Sequence, residues 1–259
     1  MELLVVIAII GILSGIVLAA VSAARTKASV AGAQSFAANL DRTYGAYSNG
    51  TWDFEDGSGT SVADTSGVGN TGSITGTYTW VSGMSGGGLM LGTDGAVTFP
   101  ANSNYTTQTF TIAFWLKPGG LAGSTGQWSN IMLTAGVYNT NGFRFGMAPD
   151  GTLTFWDTES GGSLALTSSK SINSDRFYHI AISYNGTKAN MYIDGRIVAS
   201  ATGTYVSPNS LGLNTNVGFG HPNTMTYDSL RFYGASLLSS QIQDLYQEGL
   251  YKHSSLAVK

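Results

Sequence analysis

Paired carboxylates are the first side chains in this sequence to consider as chemical groups. A glycosidase needs two of them facing one sugar, one to protonate the leaving group and one to attack or to activate water. Asp157 and Glu159 come nearest to such a pair, at alternate positions after Trp156, but Gly161-Gly162 follows at once and indicates a loop. The sequence therefore predicts that the chain is not an enzyme.

Histidine and cysteine give no sign of a metal or thiol site. His179, His221 and His253 are scattered without ligand spacing, and the chain contains no cysteine. His179 lies within a predicted strand, so we expect a packed, hydrogen-bonded structural residue there.

Trp128 and Trp156 are the candidate ligand-binding residues. An exposed aromatic ring can stack on the C–H face of a sugar. Equally, the two rings can be buried against neighbouring subunits, and the sequence does not choose between these roles.

Glu2 is an acid at the very edge of an apolar run. From Leu3 to Val21 the run contains nineteen residues, and Ser14 is its only polar side chain. That length is enough to cross a bilayer, and an ionised carboxylate at its edge is costly without a partner. A plain membrane anchor remains an alternative. A cleaved secretory signal is a weaker one, because the basic region that precedes such signals is missing.

The helical pattern continues past the apolar run without proline to about Tyr47, which predicts a helix roughly 70 Å long. Gly11, Ser14 and Gly15 are its weak points, because glycine is unfavourable inside a helix. Either the chain stretches there in an assembly, or the small residues let neighbouring helices approach closely.

Composition separates the rest of the chain from this helix. Charged residues make up only 10% of the sequence, glycine reaches 35 residues, and the formal net charge is −3. This charge balance offers no basic stripe to neutralise a row of phosphates, so the sequence predicts no nucleic-acid partner. Uncharged polar residues and many turns are typical of an extracellular β-protein.

Residues 49–259 show the alternation expected of antiparallel strands. Thr109 to Lys117 predicts a half-buried strand, and hairpins are predicted around Asp150-Gly151, Asn185-Gly186 and Asp194-Gly195. A short helix is predicted near 239–248. The fold class is therefore α+β overall: one long α-helix over residues 1–48, then an all-β antiparallel jelly-roll sandwich.

The segment ELLVVIAIIGIL, Glu2 to Leu13, resembles the N-terminus of type IV pilins and pseudopilins. The resemblance implies that a leader peptidase cuts the precursor, that the helix resides in the bacterial inner membrane, and that pilus assembly machinery extracts it into a helical filament of identical subunits on the cell surface. It implies that Glu2 meets the N-terminal amine of a neighbouring subunit. Pilins carry several residues before this glutamate, whereas Met1 directly precedes Glu2, so we expect the true start of the gene product to lie upstream.

Five segments of the second region resemble laminin G-like domains of the concanavalin A type, in the right order. That resemblance implies a lectin-like sandwich, with glycans as candidate ligands, and a calcium ion that ties the first strand to the last. The matching acids are Glu55 or Asp56 with Asp228. The five segments are Trp52–Gly72, Phe110–Pro118, Arg176–Gly186, Met191–Arg196 and Asp228–Tyr246.

Together these features predict the major structural subunit of a type IV pilus-like filament, assembled through Glu2, Gly11 and Gly15 and displaying a sandwich that mediates adhesion. Three alternatives stay open: a minor or tip adhesin, a membrane-tethered glycan-binding protein, and a secretion-system pseudopilin. They differ in whether the helix polymerises and how far.

Overall fold

The computed structural model describes residues 2–102, 105, 107–120, 128–133, 143–157, 163–174, 176–205, 211–213 and 224–256. Over that part of the chain it shows a long N-terminal helix, two antiparallel β-sheets packed face to face, and a C-terminal helix. The predicted α+β class, a helix followed by a two-sheet sandwich, is confirmed.

Two α-helices flank the strands. Helix α1 spans Glu2–Tyr44 and continues into a 3-10 turn at Gly45–Tyr47, so the helical segment ends where the sequence pattern predicts. Helix α2 spans Ser239–Leu256, eighteen residues, and is longer than the predicted 239–248. The strands between them are β1 Ser48–Trp52, β2 Ser61–Val62, β3 Gly72–Thr75, β4 Tyr78–Ser82, β5 Gly87–Leu91, β6 Ala96–Phe99, β7 Phe110–Pro118, β8 Ser129–Leu133, β9 Phe143–Met147, β10 Thr152–Asp157, β11 Ala165–Ser171, β12 Tyr178–Tyr184, β13 Lys188–Ile193, β14 Arg196–Thr202, β15 Leu211–Leu213 and β16 Met225–Tyr233.

The strands form two sheets of eight. Sheet I has the order β14-β13-β12-β7-β16-β5-β4, and β1 also pairs with β16. Sheet II has the order β11-β10-β9-β8-β15-β6-β3-β2. The strand nearest the C-terminus thus lies in the middle of sheet I, between β7 and β5, and pairs with the first strand of the sandwich.

The three predicted hairpins are present. Strands β9 and β10 pair around Asp150-Gly151, β12 and β13 around Asn185-Gly186, and β13 and β14 around Asp194-Gly195. At the last turn both residues have positive φ, 53° for Asp194 and 72° for Gly195, which suits the right-handed twist of the flanking strands.

The core lies between the inner faces of the sheets and is rich in aromatic rings. Phe110 of sheet I contacts Phe143 and Phe155 of sheet II, with ring centroids 6.5 and 6.3 Å apart. Phe232 stacks on Phe110 from the neighbouring strand. Because such rings bury large apolar areas, this region supplies most of the hydrophobic stabilisation of a domain without disulfides.

Strand β7 corrects one expectation. Alternation in Thr109 to Lys117 predicts one buried and one solvated face, yet every residue from Phe110 to Leu116 is buried. The outward residues Ala113 and Trp115 are covered because α2 packs across the outer face of sheet I.

A second, smaller hydrophobic cluster joins both helices to that face. Leu40 and Tyr44 of α1 are 6% and 5% exposed and pack with Ile242 and Leu245 of α2. The Tyr44 hydroxyl also hydrogen bonds with Asp244 Oδ2 at 3.2 Å. The C-terminal end of α1 is therefore part of the folded domain, and its N-terminal half is not.

Candidate functional site

The N-terminal half of α1 is the most unusual surface of the molecule. Val5–Ser22 has a mean hydropathy of 2.8, and none of this window is buried in the chain. Eleven large apolar side chains between Val5 and Val21 are 42–73% exposed. By length and composition this helix can cross a membrane. An apolar surface of this size is unfavourable in water and favours contact with lipid or with other apolar helices.

All three residues proposed for assembly lie on this helix, and the structure describes the surroundings of Gly11 and Gly15. A Cβ atom built on Gly11 or on Gly15 would find no atom within 4 Å, so both positions are open to an approaching helix. The placement of the Glu2 side chain lies outside what the structure describes, although its backbone begins α1.

The acids proposed for calcium separate into a pair and a third residue. Asp228 on β16 is fully buried, and its Oδ2 accepts a hydrogen bond from the Ser85 amide at 2.9 Å. Glu55, which follows β1, accepts one through Oε2 from the Gly87 amide at 2.9 Å. Both carboxylates thus meet the β4–β5 turn, where added Cβ atoms on Gly83 and Gly86 would collide with them.

Asp56 is directed elsewhere. Its carboxylate accepts a hydrogen bond at 3.2 Å from the amide of Ala63, the residue that follows β2. Among the residues with described placement, no group of three or more histidine or acid side chains is arranged to hold a metal. Of the two acids predicted to pair with Asp228, Glu55 is therefore the one that meets the same turn.

Charge and backbone conformation set this acid pair apart. Burial raises the pKa of Asp228 to about 6, and the nearby negative charge of Glu55 adds to the rise. The residues adjacent to each acid, Phe54 and Ser229, have positive φ of 56° and 50°. Such conformations cost on the order of 1–3 kcal/mol and occur often at ligand sites. A divalent cation with oxygen ligands would relieve the repulsion between the two carboxylates.

The two tryptophans are brought together. Trp128, just before β8, and Trp156 on β10 lie edge to face with centroids 6.0 Å apart, and both are half-buried. The guanidinium of Arg144 lies 5.6 Å from the Trp156 ring, and its Nε donates to Asn130 Oδ1 at 2.7 Å. This arrangement, the tryptophan pair, is an aromatic surface with a cation beside it on sheet II.

The three histidines and the acids Asp157 and Glu159 are the remaining candidates from the sequence. His179 is buried between Trp115 and Tyr246, as a packed structural residue should be, but its Nδ1 has no hydrogen-bond partner in the described structure. His253 is exposed on α2. His221 and Glu159 lie outside the described residues, whereas Asp157 ends β10 and is half-buried.

Sequence reasoning missed a buried ionic cluster beneath α2. Arg231 of β16 and Glu248 of α2 form two hydrogen bonds, 2.7 and 2.9 Å, and Lys252 adds a contact of 2.7 Å to the same carboxylate. Burial alone would raise the pKa of Glu248, but the charges of Arg231 and Lys252 hold it below its usual value. The i, i+4 spacing of Glu248 and Lys252 could have predicted their ion pair from the sequence. Nothing in the sequence indicated that Arg231 of β16 would join them.

The fold and these surfaces define a class of protein: a lectin-like β-sandwich carried on an exposed apolar helix. The chain belongs to the laminin G-type family of the concanavalin A-like lectin/glucanases superfamily, whose model matches residues 91–243, more than half of the sequence. No curated protein matches the chain.

Solved structures share the sandwich at low sequence identity. The binding domain of Paraclostridial Mosquitocidal Protein 1 is 17% identical, with a TM-score of 0.64 over 78% of this chain and 52% of that one. A structure of botulinum neurotoxin type C, whose cell entry depends on two ganglioside molecules, is 14% identical with a TM-score of 0.65 over 80% and 52%. This chain thus spans about half the length of the toxin structures.

A single domain of a bacterial enzyme is matched over nearly its whole length. Domain 4 of AbnA, a GH43 extracellular arabinanase from Geobacillus stearothermophilus, was solved in complex with arabinotriose. It is 21% identical, with a TM-score of 0.61 over 77% of this chain and 98% of that one. At these identities the likenesses establish the fold.

Proposed function

We propose that this chain is the structural subunit of a type IV pilus-like filament, with its apolar helix in the filament core and its lectin-like sandwich on the outside. The observation that carries the proposal is the apolar half of α1, which no other part of the described chain covers. The resemblance of Glu2 to Leu13 to pilins supports a bundle of like helices as the final environment.

The attachment of α1 suits this arrangement. Leu40 and Tyr44 fix the C-terminal end of the helix to α2, while Val5–Ser22 extends free of the sandwich. Subunits that pack their helices head to tail would then carry the sandwiches outward, because heterologous contacts that do not close produce a helical fibre. Before assembly the same segment would lie in the inner membrane.

Glu2, Gly11 and Gly15 are the residues we assign to assembly. In a bundle, Glu2 would neutralise the N-terminal amine of a neighbouring subunit, and a buried ion pair of this kind fixes register more than it adds stability. Gly11 and Gly15 would permit close contact between helices, since nothing now occupies the space beside them. A leader peptidase and pilus assembly machinery are the implied partners.

Electron microscopy of sheared surface material tests this function. Wild-type cells should release long fibres composed mainly of this chain, and a Glu2→Ala variant should release few, because the neighbouring amine then lacks a counter-charge. Asp150→Asn, which changes an exposed acid in a sandwich turn, is the matched control and should leave fibres unchanged. Normal polymerisation of Glu2→Ala at wild-type speed would contradict the assembly role.

A membrane-tethered or tip-located glycan-binding protein is the second candidate. Its supporting observation is the tryptophan pair, an aromatic surface of the type that binds sugar rings. Two proteins that share the fold are described with glycans. The cell entry of botulinum neurotoxin type C depends on gangliosides, and the arabinanase domain was solved in complex with arabinotriose. Abundance and fibre length separate the candidates. Fibres composed mainly of this chain would exclude a tip role. Fibres longer than the cell envelope would exclude a pseudopilin, which forms only a short assembly.

We propose binding rather than catalysis for the sandwich. The sequence shows no strand with two carboxylates spaced to face one sugar, and Glu159, the acid nearest to forming a pair with Asp157, lies outside the described residues. Incubation with a panel of polysaccharides should release no reducing ends, and release from any of them would reverse this assignment.

We further propose that Asp228 and Glu55 hold a calcium ion, with backbone carbonyls completing the shell. Bound calcium would link β16 to the segment after β1 and to the β4–β5 turn, and so stabilise the folded state. At a hundredfold excess of calcium over its Kd the gain is about 2.7 kcal/mol. For a domain of this size that corresponds to a rise in Tm of roughly 5–10 °C.

Scanning calorimetry of chelated and calcium-loaded protein measures this effect. Asp228→Asn and Glu55→Gln should abolish the calcium-dependent rise in Tm, and Asp150→Asn should retain it. An identical Tm with and without chelator would rule calcium out.

A further inference from the structure

A polar cavity of about 570 Å³ lies at one end of the sandwich, apart from the sites already described. It forms where the end of β11 in sheet II meets the start of β12, the β13–β14 turn and helix α2. Its volume is within the range of small-molecule sites, roughly 300–1,000 Å³. We call it the α2 pocket.

The α2 pocket is basic on a protein that is otherwise acidic. Lys170, Arg176 and Arg196 line it, a quarter of the twelve lysines and arginines in the chain, and Asp194 is the one acid among its described lining residues. The whole chain carries a net charge of −3. A local excess of two positive charges in a concave surface attracts anions.

Arg176 is held in a fixed orientation. Its guanidinium lies 3.9 Å from the centre of the Tyr178 ring, Nη2 donates to Asp194 Oδ2 at 2.7 Å, and Nη1 donates to the Phe177 carbonyl at 3.0 Å. Asp194 Oδ1 also accepts from the His179 amide. The acid is therefore occupied in positioning Arg176 and the turn.

The other two cations are not neutralised in this way. Within the described structure, neither Lys170 nor Arg196 has a carboxylate within 4.0 Å, and both side chains are exposed. Lys170 belongs to β11 and Arg196 to β14, so the two sheets present one cation each to the same cavity. An anion in the cavity would be attracted by both.

Uncharged groups in the α2 pocket indicate a ligand with hydroxyl groups. Gln243 and Gln247 provide amides that both donate and accept hydrogen bonds, and Tyr246 adds a phenol. Gln243 is placed against Gly195, where an added Cβ would collide with the amide. Ile193 and Leu250 supply apolar wall for C–H groups.

From this combination we propose that the α2 pocket binds an acidic saccharide, a sugar unit that carries a carboxylate. Planar guanidinium groups suit carboxylates, and paired amides suit sugar hydroxyls. The saccharide class rests on the proposed glycan-binding role of the sandwich. The pocket is separate from the tryptophan pair, because Lys170 and the Trp156 partner Ala165 lie about 16 Å apart along β11.

Calorimetric titration of the full chain in a polyoxyethylene detergent tests the proposal. The probes are trigalacturonate and its fully methyl-esterified form, which keeps the sugars and removes the charges. Trigalacturonate should bind roughly tenfold or more tightly than the ester, and its affinity should fall as salt rises. Equal binding of both probes, or of neither, would overturn the proposal.

Variants assign the binding to the α2 pocket. The double variant Lys170→Gln/Arg196→Gln should lose roughly tenfold or more in affinity for trigalacturonate. Lys188→Gln is the control, an exposed cation at the opposite end of β13, and should bind normally. Melting curves confirm that each variant is folded. An unchanged affinity in the double variant would overturn the assignment.

Two further measurements separate this proposal from others. Inorganic phosphate and citrate should not displace trigalacturonate at equal concentration; displacement would reveal a general anion site and overturn the saccharide assignment. Trp156→Ala should bind trigalacturonate with the same dependence on charge as the wild-type protein. Loss of that binding in Trp156→Ala would assign the site to the tryptophan pair. Fibre formation is scored independently, so a failure of the filament proposal is not confused with a failure here.

Discussion

His179 shows how one buried side chain controls the response of the domain to acid. The ring is 2% exposed, packed beside Trp115 and Tyr246, and burial with the positive charge of Arg231 lowers its pKa to about 3. The unfolded chain binds a proton at this residue near pH 6.5, whereas the folded chain does not. The stabilisation from keeping His179 neutral is therefore complete above pH 6.5 and is lost progressively as the pH falls toward 3.

We predict that His179→Leu flattens this part of the acid response. Between pH 6.5 and 4.5 the wild-type protein should lose roughly 2 kcal/mol more of its free energy of unfolding than the variant does. Asp228 acts in the opposite direction, since its pKa is raised, but it is common to both proteins and cancels in the comparison. Urea unfolding of chelated protein at several pH values measures the difference. Parallel curves for the two proteins would contradict the prediction.

At the scale of single residues, the sequence shows which side chains are chemically notable but not which of them meet. Asp228 was recognisable as an acid in a family segment, yet its choice of Glu55 over Asp56 depends on the path of the loop before β2. Strand β9 lies between β8 and β10 in sheet II. Trp128 and Trp156 meet across it because both rings lie on the same side of the sheet. Neither result follows from spacing along the chain.

At the scale of elements, docking of α2 decides how much of sheet I is buried. The helix approaches the sheet at Gly249, where an added Cβ would lie 2.5 and 2.6 Å from two carbons of the Trp115 ring. Alongside, the ion pair between Glu248 and Arg231 fixes the helix to β16. Gly249, which has no side chain, therefore sets the distance between α2 and the sheet. The neighbouring Glu248, paired with Arg231, sets the register of α2.

Gly249→Ala should destabilise the protein although alanine favours helices. The gain in helix propensity is about 1 kcal/mol, whereas overpacking a close contact typically costs about 1–3 kcal/mol. We expect a net loss of roughly 1 kcal/mol in the free energy of unfolding, visible as a lower urea midpoint. Gly32→Ala in α1 is the control: no atom lies within 4 Å of its Cβ position, so it should not destabilise. A stabilised Gly249→Ala protein would show that α2 can move away from Trp115.

Local patterns predicted the strands and hairpins correctly because alternation and turn residues such as Asn185-Gly186 act within a few positions. The outer face of β7 could not be predicted in the same way. Its residues Ala113 and Trp115 read as a solvated face, and their burial depends on α2, more than a hundred positions away. The order of sheet I, with β16 between β7 and β5, is non-local in the same sense.

At the scale of the whole molecule, α1 has two halves with different partners. Residues near Leu40 and Tyr44 pack on α2, and the rings of Phe36 and Tyr251 meet edge to face with their centroids 5.8 Å apart. The segment Val5–Ser22 is not buried by any other part of the described chain. Stability of the sandwich should therefore depend on the C-terminal half of α1, and association should depend on the N-terminal half.

Two truncations separate these roles. Removing residues 1–24 deletes the apolar run, so the protein should become a monomer soluble without detergent, with the Tm of the full chain. Removing residues 1–47 also strips Phe36, Leu40 and Tyr44 from α2, and the lost burial should cost about 3 kcal/mol, or roughly 6–12 °C in Tm. Sedimentation and calorimetry measure the two effects. If the shorter truncation already lowered Tm, the apolar half would contribute to the fold of the sandwich; if it still associated, the sandwich itself would carry the subunit contacts.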